Sequence, residues 1–219
     1  MARRLLHRNR GEDQSRVPKQ KVFCIGFQKT GTTSLEHALQ SVGYRVKSVF
    51  GRDLTYDELK ATYVDRGLEI AREYDALEDM PWPLMFRELD AAFPGSKFIL
   101  TLRDADAWIR SIVGHFRDNA HVMQQLTYGE DAGAPVGNED RYRAVYEAHN
   151  AAVLDYFADR PDDLLVMRLE AGDGWEKLAP FLGIEGAPTG PFVHTNTRKA
   201  RNSVFRRIRG RMRRAGILS

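Results

Sequence analysis

The sequence predicts an α/β fold in which helices cover both faces of a central parallel sheet of about five strands. Three observations carry this. Short apolar runs alternate with helical stretches along the chain, the clearest runs are apolar throughout rather than on every second residue, and no internal repeat interrupts the alternation. Continuous apolar runs are what strands buried on both faces require, and parallel strands need helical crossovers to return the chain.

The elements follow in order. Residues 1–20 are polar and basic without an apolar period and are expected to form a flexible basic arm. Lys21–Gly26 (KVFCIG) reads as a buried strand, and Phe27–Thr33 as a turn. Leu35, Ala38, Leu39 and Val42 then fall on one helical face, with Gly43 as the stop. Tyr44–Val49 reads as an edge-like strand, Tyr56–Tyr74 as one or two helices, and Ala76–Glu78 as a weak strand. Prolines 81 and 83 force a non-helical loop after it. Leu84–Phe93 reads as an amphipathic helix closed by Pro94 and Gly95, and Lys97–Leu102 (KFILTL) as the clearest strand. Ala105–Arg117 is helical, 119–138 is read as a long polar loop with room for a helical turn, and Asp140–Ala158 is a long helix. Leu164–Leu169 (LLVMRL) supplies another strand and Trp175–Leu182 a short helix, after which the chain turns Gly- and Pro-rich and then basic.

The 219 residues suit one α/β domain with tails. The net charge of +3 is unevenly spread. Residues 1–21 carry +5 and residues 195–219 carry +9, while 22–194 holds 17 basic against 28 acidic residues, a net of −11. A uniformly basic nucleic-acid-binding domain does not have such a body. One cysteine, Cys24, excludes an intrachain disulfide and a cysteine-based zinc cluster. No run reaches the roughly 18 apolar residues of a membrane span, and a cytoplasmic location is expected.

The strongest motif is Gly26-Phe27-Gln28-Lys29-Thr30-Gly31-Thr32-Thr33, between the first strand and its helix. Glycines let backbone N–H groups converge on an anion, the helix start adds partial positive charge, and the threonines and Lys29 add hydroxyls and a full charge. A nucleoside-triphosphatase loop reads G-x-x-x-x-G-K-[ST]. Here Thr32 follows the second glycine and the lysine precedes it by two, so the lysine sits at the loop crown. No metal-binding Asp follows an apolar strand in Walker-B fashion: the KFILTL strand runs into Arg103, and Asp104 and Asp106 open the next helix as ordinary capping acids.

Arg103 stands at the C-terminal end of a buried strand, where α/β folds bind ligands, and Ser111 follows two helical turns on. Together they could clamp a second phosphate. The plain alternative is a surface salt bridge for Arg103 and a polar helix position for Ser111.

Taken together, the two elements resemble the P-loop sulfotransferase-like family. GFQKTGTTSL is similar to its 5′-phosphosulfate loop, and LRDADAWIRS to its 3′-phosphate motif with the same Arg-to-Ser spacing. Further similarity runs through ALEDMPWPLMFRELDAAFPGSKFILTLRDADAWIRS, DGWEKLAPFLG and PFVHTNT, so that it covers about residues 21–200. The resemblance implies a P-loop-type three-layer fold, 3′-phosphoadenylyl sulfate (PAPS) as sulfuryl donor, and no metal. It places Gln28, Lys29, Thr30, Gly31, Thr32 and Thr33 at the 5′-phosphosulfate, and Arg103 and Ser111 at the 3′-phosphate. Arg198 and Lys199 are similar to a C-terminal Arg-Lys-Gly element that also grips the 3′-phosphate, although Ala200 stands in its third place. Ser34 stands where cytosolic members often carry a Trp that stacks on adenine.

Sulfuryl transfer needs an acceptor oxygen or nitrogen in line, a base for its proton, and charge stabilisation on the leaving phosphate. Lys29 suits the last role. Cytosolic sulfotransferases supply the base from a His-x-Pro loop, and the matching position here reads Asp79-Met80-Pro81, so Asp79 is the expected base. A loop-capping Asp is the alternative. Glu36, His37 and the scattered His115, His121, His149 and His194 compete for the role, but Glu36 and His37 read as exposed helix surface and the others show no metal-site spacing. Trp82 reads as core or as a wall of the acceptor pocket.

Beyond a domain expected over 21–200, residues 201–219 form a basic tail with a partial apolar stripe at Val204, Phe205, Ile208 and Met212. Such a segment suits peripheral contact with an anionic membrane, docking on the acidic body, or plain solvation. The reading is thus sulfuryl transfer from PAPS to a hydroxyl or amine on a small molecule, glycan or lipid, with no specific nucleic-acid partner. Alternatives are a P-loop small-metabolite kinase, needing Mg²⁺ and ATP, and a catalytically silent nucleotide-binding module.

Overall fold

The computed structural model describes residues 20–188. Five strands form one parallel sheet in the order β2-β3-β1-β4-β5. They are β1 (Val22–Cys24), β2 (Val46–Lys47), β3 (Ala76–Leu77), β4 (Lys97–Thr101) and β5 (Leu164–Met167). Seven α-helices are described: α1 (Thr32–Ser41), α2 (Tyr56–Glu73), α3 (Phe86–Ala92), α4 (Ala105–Phe116), α5 (Val122–Tyr128), α6 (Glu139–Tyr156) and α7 (Trp175–Phe181). The expected α/β class and five-stranded parallel sheet are what the chain forms. None of the described helices is long and apolar enough to cross a membrane.

The apolar runs explain the layering. Successive strand residues point to opposite faces. Val22, Cys24, Ala76, Ile99 and Met167 join Leu35 and Leu39 of α1 and Leu178 of α7 on one face. Phe23, Ile25, Leu77, Phe98 and Leu100 join Ala71 of α2, Leu89 of α3 and Val153 of α6 on the other. Both faces are buried, so at the centre of the sheet Val22–Cys24 of β1 and Phe98, Ile99 and Leu100 of β4 show no polar alternation. A third cluster lies beyond the C-terminal strand ends, where Phe27, Trp108, Met123, Tyr142 and Tyr146 pack together. It forms the floor beneath the loops that build the site.

Local signals set the helix boundaries. Thr55 and Glu58 form a reciprocal capping box at the start of α2, which is one continuous 18-residue helix. Gly43, at φ 83°, turns the chain after α1 into the edge strand β2. Two expectations need adjustment. The stretch 119–138 contains a seven-residue helix, α5, because Met123 and Tyr128 bury into the third cluster. The helix expected from Leu84 begins as a 3₁₀ turn, Trp82–Met85, with Pro83 inside it, and becomes α-helical at Phe86. Except for Gln20, the arm expected over 1–20 lies outside the described residues, as do the tail over 201–219 and Arg198 and Lys199.

Candidate functional site

One cleft opens over the C-terminal ends of β1, β3 and β4, and it is lined by most of the residues singled out above: Gln28, Lys29, Thr30, Gly31, Thr32, Thr33, Asp79, Arg103 and Ser111. Its volume of about 1620 Å³ exceeds the roughly 300–1,000 Å³ of a site for one drug-sized ligand. There is room for two substrates side by side.

The loop from Gly26 to Gly31 is held from below. Gly26 lies so close to β4 that a Cβ there would come within 2.6 Å of the Thr101 carbonyl oxygen, so a side chain cannot fit. The Thr30 hydroxyl donates to the Phe27 carbonyl oxygen at 2.5 Å and lies 2.6 Å from the Thr101 hydroxyl. The Trp108 indole donates to the Gln28 carbonyl oxygen at 2.9 Å, and the Gln28 side-chain amide donates to the Tyr128 hydroxyl at 3.2 Å. Lys29 takes a left-handed conformation at φ 69°, and Gly31, at φ 111°, stands directly before α1. Those turns bring the start of α1 to the cleft wall, where helix N–H groups and the positive end of the helix dipole favour an anion. Thr30 is 3% exposed and its hydroxyl is engaged within the protein, so it serves the loop's shape.

Arg103 is placed by its backbone as much as by its side chain. Its N–H donates to the Tyr146 hydroxyl at 2.9 Å, and the same hydroxyl donates to the Arg103 carbonyl oxygen at 2.9 Å. Tyr146 is itself stacked on Trp108, ring centres 4.2 Å apart. The guanidinium donates through Nη1 to the Lys29 carbonyl oxygen at 3.2 Å and pairs through Nη2 with Glu170 at 2.5 Å. Its Nε is buried without a hydrogen-bond partner. A cation with an unmet donor, in reach of the loop and of a carboxylate, is chemically suited to a phosphate. The salt-bridge alternative for Arg103 is therefore also realised, with Glu170 as the partner. Ser111 lines the same cleft from α4. Asp104, as expected, caps α4 by accepting from the Ala107 N–H at 2.9 Å.

Asp79 follows β3 and adopts φ 66°. Its Oδ1 accepts from the Met80 N–H at 2.8 Å. Burial pushes its carboxyl above the ordinary aspartate range, while that hydrogen bond and the charges of Arg52 and Lys29 pull the other way and Glu36 adds to the rise. A raised carboxylate is a better proton acceptor than a free one.

The cleft is also lined by a connected set of apolar side chains: Val49 and Leu54 from the segment after β2, Met80 directly after Asp79, and Phe116, Val122 and Met123 from the end of α4 and from α5. Gln124 joins them, 2% exposed, with its side-chain oxygen buried and unpartnered. Arg52, Arg110, His115 and His121 complete the polar lining.

The structure decides the alternatives left open for Trp82 and His149 and corrects the reading of Glu36. Trp82 is fully buried among Phe50 and the sheet, donates to the Ser48 carbonyl oxygen at 3.1 Å, and does not line the cleft. Glu36 is not simply an exposed helix residue: it is half-buried and acts electrostatically on both Asp79 and Glu78. His149 is structural, stacked 4.3 Å from Phe27 and bonded to the Ile25 carbonyl oxygen at 2.8 Å, and burial lowers its pKa to about 4. Sequence reasoning missed Tyr146, Thr101 and Glu78. For Thr101 and Glu78 a signal existed, a polar residue at the end of an otherwise apolar strand. For Tyr146, one aromatic among several on α6, none did. Among the described residues, no cluster of His, Cys, Asp and Glu is arranged to hold a metal ion.

Comparison with known proteins points the same way as the geometry. Over 109 aligned residues the chain is 29% identical to Ava biosynthesis cluster protein M of Aspergillus versicolor, a match covering 42% of this chain and 41% of that protein. The chain thus spans about two fifths of the length of that curated relative. The family model described as "Sulfotransferase domain" matches residues 21–130 and 114–201, most of the chain and every residue of the cleft named above. With this match over most of its length, the chain belongs to the sulfotransferase domain family.

Proposed function

We propose that the protein transfers a sulfuryl group from PAPS to a hydroxyl or amine acceptor. The observation that carries this reading is the convergence, in one cleft large enough for two substrates, of the Lys29 loop, Arg103 and Asp79. The loop and the start of α1 hold the 5′-phosphosulfate, and Arg103 and Ser111 hold the 3′-phosphate. The donor supplies the sulfuryl group and leaves as the bisphosphate PAP. Lys29, at the loop crown, neutralises the negative charge that grows on the bridging phosphate oxygen as the S–O bond breaks. Asp79 takes the proton of the acceptor hydroxyl or amine as its oxygen or nitrogen bonds to sulfur.

The acceptor lies against the wall beside Asp79, where Val49, Leu54, Met80, Phe116, Val122 and Met123 offer apolar contact. The acidic body makes local placement essential. Residues 22–194 carry a net −11, so a polyanionic donor is drawn by Lys29, Arg103 and backbone donors at short range rather than by the global field.

Titration calorimetry with PAP and with ATP, each with and without magnesium, tests the reading. Tight PAP binding without magnesium is expected. Magnesium-dependent ATP binding with no PAP binding would replace it with the kinase alternative. Turnover, read as the mass shift of acceptors incubated with PAPS, separates an enzyme from a silent binding module.

A further inference from the structure

Directly before Asp79 stands a second carboxyl group, Glu78, which the transfer reaction described above does not use. It is 1% exposed. Its backbone N–H donates to the Lys47 carbonyl oxygen at 3.1 Å, which fixes it to the end of β2. The nearby hydroxyls that act on its side chain are those of Thr32 at the start of α1 and Ser48 just past β2, while Oε2 is buried and unpartnered. Among the described residues it makes no ion pair. The titratable groups acting on it are Asp79 beside it, Glu36 from α1 and Cys24 from β1. None of these carries positive charge.

We propose that Glu78 is a positioning residue acting as a neutral carboxylic acid: it joins the start of the anion-binding helix to the sheet edge through Thr32 and Ser48, and it leaves Asp79 as the carboxylate of the pair that ionises. The proposal rests on reading the cleft as a sulfuryl-transfer site. A carboxylate buried without a cation is strongly disfavoured, and a second negative charge beside it adds to the cost. A protonated acid removes that cost and still offers one donor and one acceptor to two hydroxyls. The environments of the two carboxyls differ in the required sense. Asp79 has the Met80 N–H, Arg52 and Lys29 favouring its charged form. Glu78 has only the two hydroxyls, against burial first, then Asp79 and Glu36, and its pKa is pushed up to about 8. Pairs of carboxyls driven apart in this way divide their labour. Once Glu78 ionises, a negative charge appears directly beneath the helix start that must receive a polyanion.

Glu78→Gln preserves the shape and the neutral charge of the proposed acid. Two measurements on the full chain decide the matter. The first is thermal unfolding as a function of pH. A carboxyl raised from about 4.5 to about 8 keeps its proton in the folded state after the unfolded state has lost it. Its stabilisation is complete below pH 4.5 and is lost as pH rises through 8. The Tm of Glu78→Gln should therefore gain on that of the wild type from pH 4.5 to 8, and the gap should then stay constant. A gap that does not change with pH, or a variant less stable than the wild type at pH 8, overturns the proposal. The second measurement is PAP binding from pH 7 to 9.5. The wild type should weaken by roughly tenfold across pH 8 and Glu78→Gln should not, while Glu78→Ala should bind more weakly than Glu78→Gln at pH 7. Equal pH profiles, or an Ala variant as good as the Gln variant, overturn it. If no variant and no wild type binds PAP at any pH, the sulfuryl-transfer reading fails instead, and the unfolding comparison alone decides the state of Glu78.

Discussion

On the wall of the cleft proposed to hold the donor, side chains are committed before any substrate arrives: Thr30 to Thr101, Trp108 to the Gln28 carbonyl oxygen, and Tyr146 to both backbone groups of Arg103. On the wall beside Asp79 the lining is apolar side chains from the segment after β2 and from a helix of only seven residues, and a buried Gln124 oxygen has no partner at all. The first wall is a rigid, polar, backbone-built cradle made by strand ends and a helix start. The second is side-chain built and chemically adaptable. One wall is shaped for a ligand of fixed chemistry and the other for a ligand that varies, which is how a shared donor and a particular acceptor would divide a site.

Substitutions should separate the walls, and the largest effect is expected where they meet. Asp79→Asn removes the proposed base but keeps the shape. Its kcat should fall by about 10²–10⁴ with PAP affinity retained, read by a mass-shift turnover assay beside calorimetry. Retained turnover would dismiss Asp79 as the base. Lys29→Ala should lower kcat by about 10²–10³, because the charge on the leaving phosphate is then unneutralised. Unchanged activity would displace the donor site from the loop.

Arg103→Ala should weaken PAP about 10–100-fold, the worth of charged hydrogen bonds of roughly 1.5–3 kcal/mol, and leave acceptor KM alone. Tyr146→Phe should cost about 1–3 kcal/mol of stability, because the Arg103 N–H loses its buried acceptor. Chemical denaturation measures it, and PAP affinity should fall with it. The smallest effect belongs to the adaptable wall. Gln124→Leu should change acceptor KM severalfold, without changing PAP affinity or lowering stability, because its oxygen has no bond to lose. A loss of PAP affinity in this variant would mean the walls are not independent.

The two walls also differ in how far the sequence announced them. The donor loop was legible because its glycines, threonines and lysine must be consecutive to wrap an anion, and the strand and helix around it carry clear periodicities. Arg103 was legible from its place at the end of KFILTL. The opposite wall was not, because it is assembled from 49–54, 80 and 116–124, three segments brought together only by the fold. Helix α5 is hidden in the sequence because 119–138 is rich in Gly, Pro and polar residues, and its burial, with Tyr128 stacked on Tyr142 of α6, is a tertiary effect. Trp82 was ambiguous in sequence and became core only once Phe50 packed on it at 4.7 Å. Glu78 is not legible in the sequence, because a strand-end acid looks exposed until α1 covers it.

The cleft is proposed to divide into a donor wall and a chemical centre at Asp79. The most direct measurement is PAP binding by calorimetry, without magnesium, to the wild type, Asp79→Asn and Arg103→Ala side by side. The wild type and Asp79→Asn are expected to bind alike, and Arg103→Ala to be weakened at least tenfold. No PAP binding by the wild type, or equal loss in both variants, would contradict it.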